Sequence, residues 1–214
     1  MRITASTAVT ATTSASPSAR LGQRILDHVK KSGHLQGTIE FPNSVAGVAN
    51  LSKEIAGFRD AFRRAGISIS SPTLVQDFTR GVFAHVTFEV ANVTPPGARA
   101  AADQLGITTA GQLRRIARPI VEEKAIRLSE SINTLALRNR SASGRMPWGS
   151  VSSSTSFQID NTLAFVNRQL APIFAEAGIH LRGDGMLQSG NTSTAYLTYT
   201  ILRTGSDASA AGRP

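Results

Sequence analysis

The feature that most constrains the fold is a similarity between the two halves of the chain. Residues 50 to 69, NLSKEIAGFRDAFRRAGISI, resemble residues 162 to 181, TLAFVNRQLAPIFAEAGIHL, at an offset of 112 positions. The coinciding residues are Leu51 and Leu163, Phe62 and Phe174, Ala65 and Ala177, Gly66 and Gly178, and Ile67 and Ile179. Self-similarity at a fixed spacing is typical of a structural unit that occurs twice.

The match extends to both sides of this segment. Downstream, GVFAHVTFEV at 81–90 aligns, after one inserted residue, with TAYLTYTIL at 194–202. Upstream, GHLQGTIEF ending at Phe41 aligns with WGSVSSSTSF ending at Phe157. The order strand, helix, strand, strand is therefore predicted in each half, and we expect the halves to be related by a pseudo-twofold axis.

Each unit is predicted to place one amphipathic helix on an antiparallel sheet. The apolar residues that share one face of the first helix are Leu51, Ile55, Phe58, Phe62 and Ala65. After the helix, alternating residues flank short glycine-containing connections at 79–81 and 189–191, which indicates two hairpins. Pro172 lies inside the second helix, so we expect a kink at 168–172.

A helical insert is predicted between the two units. Residues 98–105 and 110–116 form two short predicted helices, and Pro119 is expected to open a long one. The apolar seam of the long helix consists of Val121, Ala125, Leu128, Ile132 and Leu135. A shorter counterpart with Leu21, Ile25 and Val29 precedes the first unit, so the repeat is expected to begin with a helix.

These patterns predict an α+β protein with internally duplicated β-α-β-β units, antiparallel sheets and flexible termini. The predicted parts are a flexible N-terminal arm at 1–19, a first α-β-α-β-β unit at 20–97, the helical insert with the long helix at 98–140, a second β-α-β-β unit at 141–204 and a flexible tail at 205–214. Residues 1–19 lack the apolar run of a secretion signal, and their basic, acid-free composition also fits an organelle transit peptide.

Composition excludes several kinds of chemistry. The chain has no cysteine, which excludes disulfides, thiol nucleophiles, Cys-zinc sites and iron–sulfur clusters. The HExxH, GxSxG, GxGxxG and P-loop motifs are absent. No apolar run approaches the roughly 20 residues that cross a bilayer. The sequence therefore predicts no catalytic, cofactor-binding or metal-binding residue, no membrane partner and no small-molecule substrate.

Single titratable residues have structural explanations. The four histidines, His28, His34, His85 and His180, are scattered singly, and we expect a surface or packing role for His85 on the less apolar face of its strand. Asp160 precedes a helical run and is expected to be its N-cap. Glu122 and Glu123 are expected at the start of the long helix, where the helix dipole favours a carboxylate.

Positive charge is concentrated in the insert. The chain carries a net charge of +9, and residues 98–145 hold nine basic and four acidic residues. The arginines predicted to contact phosphates or a partner are Arg114, Arg115, Arg118, Arg138, Arg140 and Arg145. The alternative is that they are solvated, pair with acidic residues on the same helix or contact acidic surfaces of neighbouring subunits.

Two short motifs also carry hypotheses. Residues 104–117, QLGITTAGQLRRIA, resemble the turn of helix-hairpin-helix DNA-binding modules, and this resemblance implies phosphate binding by backbone amides. A cap by Thr108 or Thr109 on a new helix explains the same residues locally. Residues 182–184 spell Arg-Gly-Asp, the integrin-binding tripeptide, and the Asp184-Gly185 pair predicts a turn.

The sequence leaves two functional hypotheses. The first is a non-catalytic structural subunit of a homo-oligomeric assembly, such as a ring, tube or shell of a bacteriophage or virus particle, whose partners are copies of itself and other assembly subunits. The motivation is the repeated unit, the lack of a catalytic motif and sheet edges able to pair between chains. The second is a basic protein that binds nucleic acid through the insert. We expect the chain in a virion or in the cytoplasm, with organelle targeting as the alternative.

Overall fold

The chain forms an α+β fold with two antiparallel sheets and helices packed on them. The structure is a computed structural model that describes residues 16–42, 44–77 and 80–202. The first half contains α1 (Pro17–Ser32), β1 (Gln36–Pro42), α2 (Val45–Arg64), β2 (Ile67–Ile69), β3 (Thr73–Asp77) and β4 (Gly81–Val90). The remainder contains α3 (Ala98–Leu105), α4 (Ala110–Asn139), β5 (Ser143–Ser152), α5 (Phe157–Phe165), α6 (Ala171–Glu176), β6 (Ile179–Ser189) and β7 (Thr192–Ile201).

Both sheets have the same strand order. The last strand of each half lies in the middle, so that the orders are β1-β4-β2 and β5-β7-β6, and β3 pairs with β4 beyond β2. In both halves a helix precedes the first strand and ends in a left-handed residue, Gly33 or Arg140. The first strand starts three positions later, at Gln36 and at Ser143.

The pairing register corrects the downstream alignment. Ile67 lies opposite Val90, and the matching Ile179 lies opposite Ile201. The strand β4 therefore corresponds to β7 with one residue fewer, not one residue more, which shifts the predicted match by two positions. A shift of two residues leaves every side chain on the same face, so the predicted buried face is unaffected.

The upstream alignment was wrong. Phe41 lies in β1, whereas Phe157 begins α5 and lies after the strand β5. The strand that corresponds to β1 is β5, because each pairs with the last strand of its own sheet. The misalignment arises because β5 has 10 residues whereas β1 has 7, and because a 3-10 turn, Ser153–Thr155, separates β5 from α5.

Both sheets are interrupted at corresponding positions of the edge that pairs with their last strand. In the first sheet, residues 70–72 separate β2 from β3 on the edge of β4. In the second, the register shifts between Gly183 and Gly185, so Asp184 bulges out of β6. The offset of the helices, 112, places Pro72 on Asp184. The Arg-Gly-Asp triplet thus lies in a bulged strand, and the turn predicted there is wrong.

The helix α4 runs through Pro119 without a break. The prediction of a short helix at 110–116 followed by a new helix at Pro119 is therefore wrong. Buried Leu113 and Ala117 precede the proline, and buried Val121 follows it on the same stripe, so packing carries the helix across. Glu122 and Glu123 consequently lie within the helix, not at its start.

The helix of the second half is interrupted where a kink was predicted. Residues Val166–Leu170 form a π-helical segment between α5 and α6 that ends two positions before Pro172. Insertion of a residue into the hydrogen-bond ladder relieves the bond that proline cannot donate. Asp160 lies inside the first turn of α5 and not at its N-cap, so that prediction is wrong.

One continuous core joins the halves. Leu21, Ile25 and Val29 of α1 belong to the same buried cluster as Leu128 and Ile132 of α4. The helical seams predicted from spacing therefore face one another. The predicted strand alternation holds along β4 from Ala84 to Val90, whereas Phe83, expected on the wetter face, is buried as well. In the described residues no helix is both long and apolar enough to cross a membrane.

The predicted termini lie mostly outside the described residues. Residues 1–15 and 203–214 fall there, so the flexible arm and tail stay predictions. Residues 17–19, which were assigned to the arm, belong to α1, because this helix begins at Pro17 and Ser18 is buried in it.

Candidate functional site

The arginines at the start of α4 are divided between structure and surface. Arg114 donates from Nη1 to the carbonyl oxygen of Ala91 and from Nη2 to Oγ1 of Thr94, at 2.7 Å for the second bond. This side chain ties α4 to the segment after β4. Arg118 forms an exposed ion pair with Glu122 at 2.8 Å, and Arg115 is exposed.

The other three arginines lie at or beyond the C-terminal end of α4. Arg138 and Arg140 are exposed, and Arg140 is the left-handed cap of α4. Arg145 in β5 pairs through Nε with Oδ2 of Asp184 at 2.8 Å and lies over the Tyr196 ring at 4.3 Å from its centroid. This pair spans the bulge of β6, so Arg145 supports the sheet.

The six arginines are not brought together. From Arg118 to Arg138 the helix rises about 30 Å, at roughly 1.5 Å per residue. The amides of the turn before α4 are also occupied: Ile107 N donates to Ala102 O, Ala110 N to Ala65 O, and Thr109 N to Oε1 of Gln112. Of the two residues expected to cap this helix, Thr108 and Thr109, it is Thr109 that caps α4. The phosphate-binding amides that the helix-hairpin-helix resemblance implies are thus used inside the protein.

Two exposed apolar side chains occupy equivalent places at the two hairpins. Leu74 lies opposite Ala84 and is 46% exposed, and Met186 lies opposite Ala195 and is 45% exposed. Both alanines are fully buried, and residues paired across strands share a face. Leu74 and Met186 therefore lie on the core-facing side of their sheets, beyond the part that the helices cover.

A cavity of about 660 Å³ lies between the halves. The first half contributes α1 and β1, and the second contributes α4, β5 and α5. Its cationic side chains are Arg24, Lys31 and Lys124, and its aromatic side chains outside the histidines are Trp148 and Phe157. Trp148 lies at a bulge of β5, between Pro147 and Gly149, which accounts for the irregular register there.

Lys124 lies half-buried at this cavity without an acidic partner in the part of the chain that the structure describes. Its Nζ donates to the carbonyl oxygen of Ser32 at 2.6 Å and lies 4.7 Å from the centroid of the Phe165 ring. Burial lowers the pKa of Lys124. The ammonium is therefore held by one carbonyl and one ring face.

Two histidines also line the cavity. His34 is 7% exposed and stacks on Phe165 at 4.4 Å between ring centroids, and His28 packs edge-on against Phe88. Burial, with Lys124 second, lowers the pKa of His28 to about 4 and of His34 to about 3. Both rings are neutral at pH 7. His28 Nε2 and His34 Nδ1 have no hydrogen-bond partner among the described residues.

The carboxylates at the cavity are already engaged. Glu40 accepts hydrogen bonds from Arg80 and from Nε2 of His85, the latter at 3.1 Å, and Asp27 accepts one from Gln23 at 2.8 Å. His85 therefore has the packing role expected for it: its ring contacts Glu40 and packs against Phe157, with ring centroids 4.7 Å apart.

No protein family, no curated protein and no solved structure matches this chain. Function is therefore inferred from its own residues.

Sequence reasoning missed both the cavity and the apolar pair. The cavity residues come from five elements spread from Arg24 to Thr162 and share no linear spacing. The hairpin pair had a signal, since the offset of 112 places Leu74 on Met186, but the exposure of both side chains follows only from where the helices end. Across the described residues, no group of three or more His, Asp or Glu side chains is placed to hold a metal ion.

Proposed function

We propose that this chain is a non-catalytic structural subunit that assembles with copies of itself. The observation that carries the proposal is the pair of uncovered apolar side chains, Leu74 and Met186, at equivalent positions of the two hairpins. Each lies on the core-facing side of its sheet next to the exposed end of the hairpin, where Gln76 and Gln188 of the same faces are exposed as well. A neighbouring subunit would complete the cover.

The proposal includes an origin of the two halves by duplication. Support comes from the same strand order, the same distance from helix cap to first strand and the interruption of both sheets at the same level. A duplicated unit gives each chain two similar surfaces, one at each hairpin.

Two similar surfaces on one chain allow assembly to continue. We propose a heterologous contact, in which the Leu74 hairpin of one copy packs on the Met186 hairpin of the next. Contacts of this kind close into rings or extend into helical filaments, depending on the rotation between neighbours. The narrower form of the proposal is a component of a ring, tube or shell in a bacteriophage or virus particle, in contact with other assembly subunits.

Light scattering of the purified protein tests the proposal. A discrete oligomer whose mass is unchanged by nuclease treatment and by moderate salt is expected, because an apolar contact does not depend on ion pairing. A monomer at all accessible concentrations would overturn it.

The alternative of nucleic-acid binding gains no specific support from the arrangement of the insert, because its arginines lie at opposite ends of α4. Binding of random duplex DNA, with affinity falling steeply as salt rises, by a protein that stays monomeric would favour that alternative.

A further inference from the structure

The cavity between the halves has the size and composition of a small-molecule site. Its volume, about 660 Å³, lies within the roughly 300–1,000 Å³ of ligand pockets in proteins. Polar and aromatic side chains from both halves line this cavity. The packing of the two sheets does not by itself require such side chains there. The sequence predicts no small-molecule ligand, because these residues share no motif.

The charge of the cavity is incompletely balanced. Lys124 contacts a carbonyl and an aromatic face, and Lys31 at the same cavity is exposed with no ion pair among the described residues. The acidic groups at the cavity, Glu40 and Asp27, already accept hydrogen bonds from other side chains. Glu123, the carboxylate that acts on Lys124 from the same helix, forms an ion pair with Arg127. A half-buried ammonium without a carboxylate attracts an anion more strongly than an exposed lysine does, because water screens it less.

The aromatic side chains that line the cavity favour an anion that carries a flat ring. Trp148 and Phe157 provide aromatic surface at the cavity, and the neutral rings of His28 and His34 add more. His34 is almost fully buried, yet its Nδ1 has no partner within the described residues. Unpaired polar groups in an aromatic cavity beside a cation are typical of sites that bind polar, ring-containing ligands.

We propose that this cavity binds a small organic anion with a flat ring, its carboxylate or phosphate held by Lys124 and Lys31 and its ring packed against Trp148. The site is separate from the hairpin surfaces that carry the proposed assembly, so either proposal can fail without the other.

The fluorescence of Trp148 reports on this site directly, because it is the one tryptophan in the sequence. Phenylacetate and AMP, a carboxylate and a phosphate on a ring, are titrated against their neutral counterparts phenylacetamide and adenosine, with inorganic phosphate as a probe without a ring. At least one of the two anions should change the fluorescence saturably, and its neutral counterpart should bind at least tenfold more weakly. Phenylacetate alone assigns a carboxylate head, and AMP alone a phosphate head.

Variants test the assignment of the charge. Lys124→Met should weaken binding at least tenfold, measured by calorimetry, while Lys124→Arg keeps the charge and should retain binding. Lys30→Met is the matched control, since Lys30 is an exposed lysine of α1 outside the cavity lining. No saturable binding of either anion by the folded wild type, equal binding of the neutral counterparts, or a loss in Lys124→Met no greater than in Lys30→Met would each overturn the proposal.

Discussion

Arg140 ends α4 in a backbone conformation that side chains rarely adopt. Its φ is 50°, in the left-handed region, and at the matching place of the first half Gly33 ends α1 with φ of 75°. A Cβ in this region costs about 1 kcal/mol. The residue suggested by the sequence as a phosphate contact thus occupies a position for which glycine is the better cap.

We predict that Arg140→Gly raises the free energy of unfolding by about 0.5–1 kcal/mol, because it relieves the left-handed conformation. Urea unfolding followed by circular dichroism measures the change. The matched control, Arg138→Gly in the last turn of the same helix, should lower stability by about 0.5–1 kcal/mol. Equal losses in both variants would show that Arg140 contributes through its side chain instead.

His28 and His34 make stability depend on pH. Burial lowers the pKa of His28 to about 4 and of His34 to about 3, whereas an unfolded histidine titrates near 6.5. Between about pH 6.5 and 3 the unfolded chain therefore binds more protons than the folded one. Stability is complete above pH 6.5 and falls as the pH drops through this window.

We predict that His34→Phe makes the protein less sensitive to acid. Phenylalanine can keep the stack on Phe165 and removes an unpaired ring nitrogen. The fall in the unfolding midpoint from pH 7 to pH 4.5 should be smaller than in the wild type. His180→Phe, at an exposed position of β6, is the control. An unchanged acid sensitivity in His34→Phe would contradict the assignment of this histidine.

Among the elements, α5 joins the halves through its contact with β1. Asn161, buried in α5, accepts a hydrogen bond at Oδ1 from Thr38 N at 2.9 Å and donates from Nδ2 to Thr38 O at 3.4 Å. The side-chain amide of Asn161 thereby gives hydrogen-bond partners to the backbone N–H and C=O of Thr38. These groups lie at the edge of β1 to which no other strand pairs among the described residues. An edge strand of the first sheet is thus closed by a helix of the second half.

We predict that Asn161→Ala lowers the free energy of unfolding by about 1–3 kcal/mol, because it leaves the N–H and C=O of Thr38 without their partner. Chemical denaturation measures this. Gln158→Ala, at an exposed position of the same helix, should stay within about 0.5 kcal/mol of the wild type. A loss in Asn161→Ala no larger than in Gln158→Ala would mean that water replaces the amide at no cost.

Local patterns predicted the elements better than their connections. The alternation of β4 from Ala84 onwards and an irregular helix near Pro172, predicted as a kink, were within reach of the sequence because both depend on neighbouring residues. The register of β7 was wrong by two positions, since a period of two is blind to such a shift. The course of α4 through Pro119 depends on tertiary packing of Leu113, Ala117 and Val121, which no local signal contains.

The sites depend on the whole molecule and were predicted least. The six arginines are neighbours in sequence at two places, but a single long helix separates these places by about 30 Å. The cavity exists because α1 and β1 face α4, β5 and α5 across the junction of the halves. Neither distance nor junction can be read from spacing along the chain.

At the scale of the whole molecule, the central claim is that each copy presents one surface at the Leu74 hairpin and another at the Met186 hairpin. In a heterologous contact, Leu74→Glu disables one surface of every contact and Met186→Glu disables the other. Val93→Glu, at an exposed position after β4, is the matched control. It replaces an apolar residue with a glutamate as the hairpin variants do, at a position outside both hairpins.

The decisive measurement is the mass of the two hairpin variants, alone and mixed in equal amounts, by mass photometry. We predict that the wild type and Val93→Glu form the same discrete oligomer, that each hairpin variant alone is a monomer, and that the mixture forms dimers, because each variant retains the surface that the other lacks. Hairpin variants that assemble as the wild type does, or a mixture that stays monomeric, would contradict the claim.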